Sequence, residues 1–425
     1  MNLNIFRQVY YEFRYQPVSS VVTVIGTALA IFLIMILVMT TNVTTMPMAP
    51  ESGRDRMLHG KYIHFGMDDG DMSSNISYTG AKLLYDSLPG IEVATFFNDT
   101  YLTDIGLPGQ MNENFNVKHV GDNFFKVFDF TFLAGAPFSS DAIKGGLKEA
   151  VITEKVARSV FKTTDVIGKD LYISQIPYKV VGLIKDVTPL ATTAFSDIYV
   201  IVGYDEQNTV LDDARDFTGM SQAVLLMEPG ADLGKIREAV AARKARVNAM
   251  VKDEKNTALI DHGAPFTQAE VGSVAGSNGD SRYESERITR IFIYAVLLLV
   301  PAINLSSMTQ GRLRRRMTEI GVRRAFGCTR FGIIREIIAE SFIVTLIGGL
   351  IGLLLSIIFG YFYSSLIFSG QGNQAIDNVG LSVVLNGPVF LMAVVMCFIL
   401  NLLSSGIPAW KASRVNPVEA INQKI

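Results

Sequence analysis

Residues 312–360 have the sequence RLRRRMTEIGVRRAFGCTRFGIIREIIAESFIVTLIGGLIGLLLSIIFG, in which a basic segment runs directly into an apolar one. The first part, residues 312–335, contains eight arginines and one acidic residue, Glu319, and residues 341–376 carry no charge. Short segments rich in Lys and Arg stay on the cytoplasmic side of a bilayer, and about 20 apolar residues are enough to cross it. The stretch therefore predicts a cytoplasmic loop, residues 312–335, followed by a membrane span, residues 336–366.

The basic loop also carries helix signals. Residues 318–326 have the length of a two-turn helix, and Gly327 is placed to end it as a left-handed C-cap. Thr329 is placed to cap the helix that follows. Glu319 and Arg323 lie four residues apart, so they can form an ion pair across one helical turn. We expect a short helix at the membrane surface that leads into the span. In the alternative, the arginines only hold the loop at the anionic inner leaflet, where each contributes ~1 kcal/mol.

Small residues recur within the span at four-residue spacing, at Gly348, Gly352, Ser356 and Gly360. Small side chains in this register form one face of a helix and let another helix approach closely. We therefore predict that this face packs against protein and not against lipid.

The distribution of charge gives the membrane topology. Residues 43–286 contain 23 Lys/Arg and 34 Asp/Glu, while the rest of the chain contains 15 and 6. The basic residues outside that acidic region lie beside apolar segments, which favours a membrane over nucleic acid as their partner. The predicted order is a cytoplasmic amphipathic helix at 1–17, spans at 18–42, 287–311 (including the end of a stalk), 336–366 and 383–407, an outside loop at 367–382 and a cytoplasmic tail at 408–425.

The acidic region, residues 43–286, contains no apolar stretch long enough to span, so it forms one large outside domain. It mixes strand and helix signals. Strands are expected at 61–65, 92–97, 150–153, 170–173, 178–183 and 222–227, with helices at 79–87, 154–161 and 233–252 and a turn at 175–177. A Gly/Ser-rich segment, residues 273–281, predicts a flexible joint before the second span.

No motif for chemistry is present in the sequence. The four histidines have no metal-binding spacing, there is no GxSxG elbow, and neither Cys328 nor Cys397 lies in the large domain. The phosphate-binding motif GxxxxGK[ST] is also missing, because Gly168-Lys169-Asp170 lacks the upstream glycine and the hydroxyl. We therefore expect no catalytic, metal or cofactor site in these residues, and we expect that any ATP is bound by another polypeptide.

Several of these segments resemble a known family. EIGVRRAFG at 319–327, IIREIIAES at 333–341 and GGLIG at 348–352 resemble the permease domain of MacB/FtsX-type ABC transporters, as does PAWKASRVNPVEA at 408–420. VITEKVARSVF at 151–161 and YKVVGLIKDV at 178–187 are similar to the periplasmic core domain of MacB-like proteins. The resemblance implies an α-helical transmembrane domain of four helices, with a large α+β domain inserted between helices 1 and 2.

The resemblance also implies a function and partners. Such a permease sits in the bacterial inner membrane with both termini cytoplasmic and its large domain periplasmic. It works as a homodimer or with a paralogous permease, and a separate cytoplasmic ATPase binds ATP and Mg²⁺. Contact with this ATPase is assigned to the residues that match the family's coupling segment, namely Glu319, Ile320, Gly321, Arg323, Arg324 and Gly327.

In this family, ATP-driven closure on the cytoplasmic side moves the outside domain (mechanotransmission), here expected to serve export or efflux with a periplasmic adaptor and an outer-membrane channel. A lipoprotein-releasing subunit and an FtsX-like regulator of a cell-wall hydrolase remain as alternatives. A membrane-anchored enzyme is disfavoured because the sequence lacks a catalytic constellation.

Overall fold

The computed structural model divides the chain into two compact units, Thr44–Glu286 and a second one made of Met1–Val43 with Arg287–Ile425. These limits adjoin those expected for the outside domain, residues 43–286. The structure describes residues 14–15, 17–67, 70–109, 111–211, 214–250, 258–260, 264–271, 283–362 and 387–415. Most of the predicted amphipathic helix at 1–17, and all of the joint at 273–281 and the outside loop at 367–382, lie outside the described residues.

The first helix, α1, covers Pro17–Thr45 and contains no charged residue, in agreement with the first predicted span. The large domain follows. Its strands are β1 Met57–Gly60, β2 Tyr62–Met67, β3 Gly70–Asn75, β4 Ile91–Asn98, β5 Tyr101–Gly106, β6 Glu113–Val120, β7 Phe132–Gly135, β8 Glu149–Thr153, β9 Asp170–Ile173, β10 Ile176–Ile184, β11 Ile198–Ile201, β12 Ser221–Met227, β13 Ala258–Ile260 and β14 Phe266–Thr267.

Short helices connect these strands. They are α2 Tyr78–Tyr85, α3 Phe124–Val127, α4 Ser140–Lys144, α5 Glu154–Val156, α6 Tyr204–Gln207, α7 Leu233–Met250 and α8 Gln268–Val271, with 3₁₀ turns at Arg54–Arg56 and Ala214–Phe217. A π-helical turn, Ala157–Phe161, continues α5, so the helix expected at 154–161 is present with a wider second half.

Most strands form one mixed sheet in the order β11-β8-β10-β9-β5-β6-β4-β12-β1-β14, with β7 added to β10. Because β11 also pairs with β6 in parallel, the six strands from β11 to β6 close into a ring. A small second sheet has the order β13-β2-β3. Side chains on β12 alternate between two cores: Ala223 and Leu225 face α2 and α7, while Val224 and Leu226 join an aromatic cluster around Phe124.

The hairpin between β9 and β10 differs from the prediction. The turn consists of Ser174 and Gln175, both with positive φ, and not of residues 175–177. Pro177 instead pairs with Tyr172 as a strand residue. It is tolerated there because β8, the other neighbour of β10, starts to pair only at Lys179, so Pro177 lies where β10 is still an edge.

The second unit continues with α9 Tyr283–Arg315, α10 Met317–Ala325, α11 Arg330–Phe362 and α12 Gly387–Ser413. Among the described residues, three helices are long and apolar enough to cross a membrane, with apolar segments Ser20–Met39, Arg330–Gly360 and Leu391–Ser413. The predicted second span lies on α9, so four spans remain a prediction. The basic segment 312–335 is almost entirely helical, and it contains both the short helix expected at 318–326 and the start of the helix expected after Thr329.

The helix that contains the last predicted span, 383–407, is longer than the span itself. α12 continues through Pro408 to Ser413. The reason is packing: Ala409 and Ala412 are buried against Leu313 and Ile320, and this burial holds the helix together past the missing N–H of the proline.

Candidate functional site

The short helix α10 lies between two long helices and is fixed at both ends by the backbone. The Ile320 N–H donates to the Arg316 carbonyl at 3.0 Å where the helix begins. At its end, Gly327 has φ +92°, the left-handed conformation expected of its C-cap, and the Cys328 N–H donates to the Arg323 carbonyl at 3.1 Å. Thr329 then caps α11, accepting the Gly332 N–H at 3.1 Å.

One face of α10 is buried. Ile320 and Gly321 are buried, and Ile320 belongs to an apolar cluster formed by residues of four helices. Its buried members are Leu313 of α9, Ile320 of α10, Ile333 and Ile337 of α11, and Ala409 and Ala412 of α12. Because this cluster is closely packed, a displacement of α10 would also displace the ends of the three long helices that contribute to it.

Ion pairs join α10 to α11, and we call them the α10 network. Arg323 Nη2 lies 2.5 Å from Glu319 Oε1, which is the expected pair across one turn. The same guanidinium lies 2.6 Å from Glu336 Oε1, and Arg316 Nη1 lies 2.8 Å from Glu340 Oε2. Arg316 also approaches Glu319 at 3.4 Å. The hydrogen bond to Glu336 raises the pKa of Arg323, so the guanidinium stays charged.

Two members of the network, Glu336 and Glu340, were missed by sequence reasoning. Both lie just beyond the basic segment 312–335, in which Glu319 is the one acidic residue. Their spacing in the sequence could have identified them. Glu336 and Glu340 lie four residues apart near the start of α11, so they share one face of that helix, on which they can pair with arginines.

Arg324 connects α10 to the end of α12. Its Nη1 donates to the carbonyl of Ser413 at 2.8 Å and to that of Val415 at 3.3 Å. The end of α12 is also stabilised by Arg414, whose guanidinium stacks 4.1 Å from the ring centroid of Trp410. Arg324 therefore holds α10 to the end of α12 by hydrogen bonds, so its role depends on its position and not only on its charge.

Exposed apolar side chains lie on α10 and on the turn that leads into α11. Phe326, the residue that follows α10, is 87% exposed, and Phe331, the second residue of α11, is 73% exposed. Val322 and Cys328 are exposed as well. Two exposed phenylalanines beside a helix that is fixed on its other face are a typical feature of a docking surface.

The four small residues predicted to pack are all buried. A Cβ on Gly352 would lie 2.4 Å from the Ala28 carbonyl oxygen, and one on Gly348 would lie 2.8 Å from Thr27 Cβ, so both glycines lie directly against α1. Ser356 is fully buried and donates to the Leu353 carbonyl at 2.7 Å. Gly349, which the prediction left out, faces α12, where a Cβ would lie 2.2 Å from Cys397 Sγ.

No group of three or more His, Cys, Asp or Glu side chains suited to a metal ion occurs among the described residues.

Comparison with known proteins covers both units. Residues 20–243 match the family model of the MacB-like periplasmic core domain, and residues 291–417 match that of the FtsX-like permease C-terminal region. YknZ of Bacillus subtilis (strain 168), named as an uncharacterised ABC transporter permease, is 25% identical over 312 residues, which are 72% of this chain and 69% of YknZ.

The macrolide export ATP-binding/permease protein MacB of Burkholderia cenocepacia (strain HI2424) is 25% identical over 307 residues, which are 72% of this chain and 41% of that protein. The match thus spans about two fifths of the length of that relative. Among solved structures, the periplasmic region of MacB from Actinobacillus actinomycetemcomitans is 13% identical, with a TM-score of 0.33 over 47% of this chain and 88% of that one.

Proposed function

This chain belongs to the MacB/FtsX-like family of ABC transporter permeases, and we propose that it is a transmembrane subunit that couples ATP hydrolysis by a separate cytoplasmic ATPase to movement of its large outside domain. In this proposal the ATPase docks on α10, and the movement serves export. Glu319, Ile320, Gly321, Arg323, Arg324 and Gly327 position the docking helix.

The observation that carries the proposal is the two-sided character of α10. Its inner face is tied to α9, α11 and α12 by the apolar cluster and by the α10 network. On the outer side, Phe326 at the end of α10 and Phe331 at the start of α11 are exposed. A partner that binds the phenylalanines and moves would displace the ends of three long helices together, which is the property that coupling requires.

The charges support the orientation. Basic residues adjoin α9, α10 and the start of α11, and Lys411 and Arg414 lie at the end of α12, which favours the cytoplasm for this side. The acidic unit, Thr44–Glu286, is then outside the cell membrane.

Polar groups within the long helices support movement of the helices over passage of a solute between them. Three buried hydroxyls bond back to their own helix: Thr27 Oγ1 donates to the Thr23 carbonyl at 2.8 Å, Thr309 to Leu305 at 2.9 Å and Thr345 to Ser341 at 2.9 Å. Side chains with satisfied local bonds offer few sites to a hydrophilic substrate.

The test uses the permease together with the ABC ATPase that co-purifies from the source cells, once that ATPase has been identified and co-expressed. Phe326→Ser with Phe331→Ser should lose the complex and the stimulation of ATP hydrolysis, since both side chains are exposed where α10 ends and α11 begins. Arg314→Ala, an exposed neighbour outside this surface, is the matched control and should keep both. Full complex retention by the double variant would overturn the docking assignment.

Movement is tested separately at Gly327. Gly327→Val should uncouple because a β-branched residue is strained at φ +92°, whereas Gly327→Asn should retain coupling because asparagine adopts left-handed backbone more readily. In a background with Cys328 and Cys397 replaced by serine, a fluorescent probe on Ser140→Cys, an exposed position in the large domain, should respond to ATP with Gly327 or Asn at position 327 but not with Val. An equal response in all three would contradict coupling through α10.

A further inference from the structure

A groove of about 540 Å³ lies between the start of α1 and the end of α9. The two helices pack together just beyond it, where Thr23 Oγ1 contacts Met308 Sδ at 4.0 Å. Its lining combines two kinds of side chain, the basic Arg312 and Arg315 and the apolar Val18, Val22 and Met308, with Tyr15 at the rim. The groove is separate from the docking surface at α10, because none of its lining residues belongs to that surface.

The basic half of the groove suits a phosphate group. Arg312 and Arg315 lie three residues apart, so their side chains share one face of α9. Guanidinium groups bind phosphate oxygens through paired N–H donors, with a geometry that lysine cannot offer. Among the described residues that line the groove, two are basic and none is Asp or Glu.

The other half suits hydrocarbon. Val18 is 76% exposed and Val22 is 42% exposed, and both lie on α1 next to the arginines. Met308 adds a flexible apolar side chain that adapts to irregular ligands. Gly311 contributes no side chain, and apart from its own helical turn nothing lies within 4 Å of the position its Cβ would take, so there is open space beside it.

We propose that this groove is a binding site for one anionic phospholipid, whose phosphate is held by Arg312 and Arg315 and whose proximal acyl chain lies along Val18, Val22 and Met308. Tyr15 lies at the headgroup level, where aromatic side chains are commonly placed. In the orientation proposed above, the lipid belongs to the cytoplasmic leaflet, but the binding itself does not depend on the ATPase or on export.

The site differs from general attraction of a basic segment to an anionic membrane. General attraction depends on the number of charges, so any two of the eight arginines would contribute equally. A built site depends on position. Arg314 and Arg330 are both exposed and lie outside the groove lining, so they provide a control that removes the same charge.

The experiment measures lipid retained by the purified full chain in detergent, by native mass spectrometry, after addition of dioleoylphosphatidylglycerol or dioleoylphosphatidylcholine. The parent should retain one phosphatidylglycerol in preference to phosphatidylcholine. Arg312→Ala with Arg315→Ala should lower phosphatidylglycerol affinity roughly thirtyfold, from ~1 kcal/mol for each arginine. Arg314→Ala with Arg330→Ala should leave it close to the parent value.

Val22→Trp should fill the apolar half of the groove and abolish retention of phosphatidylglycerol while both arginines are still present. This variant tests binding in the groove if the double arginine variant does not fold. Excess inorganic phosphate should not displace the lipid, because it lacks acyl chains. Equal losses in the two double variants would leave only bulk charge attraction. Equal retention of both lipids, unchanged binding in Val22→Trp, or displacement by phosphate would each overturn the proposal. None of these results bears on ATPase coupling, so the two proposals fail independently.

Discussion

Arg316 and Glu340 are 24 residues apart in the chain, yet Arg316 Nη1 lies 2.9 Å from one carboxylate oxygen of Glu340 and 2.8 Å from the other. The Glu340 side chain is only 9% exposed, whereas Glu319, which also approaches Arg316, is 47% exposed. The two acidic residues therefore differ in their contribution to stability. Removing one partner of an ion pair that is buried from water costs more free energy than removing one partner of an exposed pair.

We predict that Glu340→Gln destabilises the membrane unit more than Glu319→Gln. Loss of a charged hydrogen bond to the partly buried Arg316 should cost roughly 1–3 kcal/mol, while the exposed pair formed by Glu319 should contribute under about 1 kcal/mol. The measurement is the thermal midpoint of the purified chain in detergent, with both variants at the same ionic strength. Equal shifts for the two variants would show that burial of Glu340 does not matter.

The α10 region shows what the sequence could and could not predict. The helix, its left-handed end at Gly327 and the Glu319–Arg323 pair depend on residues close in sequence, and all three were predicted correctly. The contacts that fix α10 in space join it to Glu336, Glu340 and the carbonyl of Ser413. Those partners are set by how the helices pack, which local spacing does not contain. The coupling role of α10 stays a prediction.

A second prediction concerns the close approach of α1 and α11. Gly352→Ala should destabilise the chain, because the new Cβ would lie 2.4 Å from the Ala28 carbonyl and the helices must separate. Overpacking of this kind costs about 1–3 kcal/mol in well-packed cores, and Gly352→Leu should cost more. The readout is the amount of folded protein that survives heating in detergent.

Gly406 is the matched control for that substitution. It also lies within a long helix, α12, but apart from its own helical turn nothing lies within 4 Å of the position its Cβ would take. Gly406→Ala should therefore be neutral, or stabilising by up to about 1 kcal/mol from helix propensity. If both alanine variants behave alike, the face containing Gly348 and Gly352 is not a tight contact.

A third prediction concerns acid sensitivity of the large domain. Burial lowers the pKa of His59 on β1 from 6.5 to about 4. Between these values the unfolded chain binds a proton that the folded domain does not, so stability falls as pH drops from 6.5 towards 4 and is unaffected by this group above 6.5. The full effect is roughly 3 kcal/mol.

His59→Gln removes the titration and keeps a polar side chain at this position. Scanning calorimetry of both proteins between pH 7 and pH 4 should show a smaller fall in the unfolding midpoint for the variant, with the contributions of other acids cancelling in the comparison. Parallel curves would mean that His59 takes up its proton in the folded domain.

In the large domain, the sequence predicted individual strands better than their arrangement. The strands expected at 92–97, 150–153 and 170–173 agree with β4, β8 and β9 within two residues at each end. The closed ring depends on parallel pairing of β11 with β6, where Ile198 lies beside Val117 across about eighty residues of chain. Strand periodicity shows which residues face a core but not which strand becomes the neighbour.

The last prediction tests the orientation on which the proposed function depends. Ser140 lies in the acidic large domain and Thr318 lies on α10, and both are exposed. In a background with Cys328 and Cys397 replaced by serine, an impermeant thiol reagent added to intact cells should label Ser140→Cys and leave Thr318→Cys unlabelled. The reason is that the arginines around α10 resist transfer across the membrane, whereas the acidic domain carries no such signal. Permeabilised cells provide the control, since both positions should then react. Labelling of Thr318→Cys from outside in intact cells would reverse the topology and with it the assignment of α10 to a cytoplasmic ATPase.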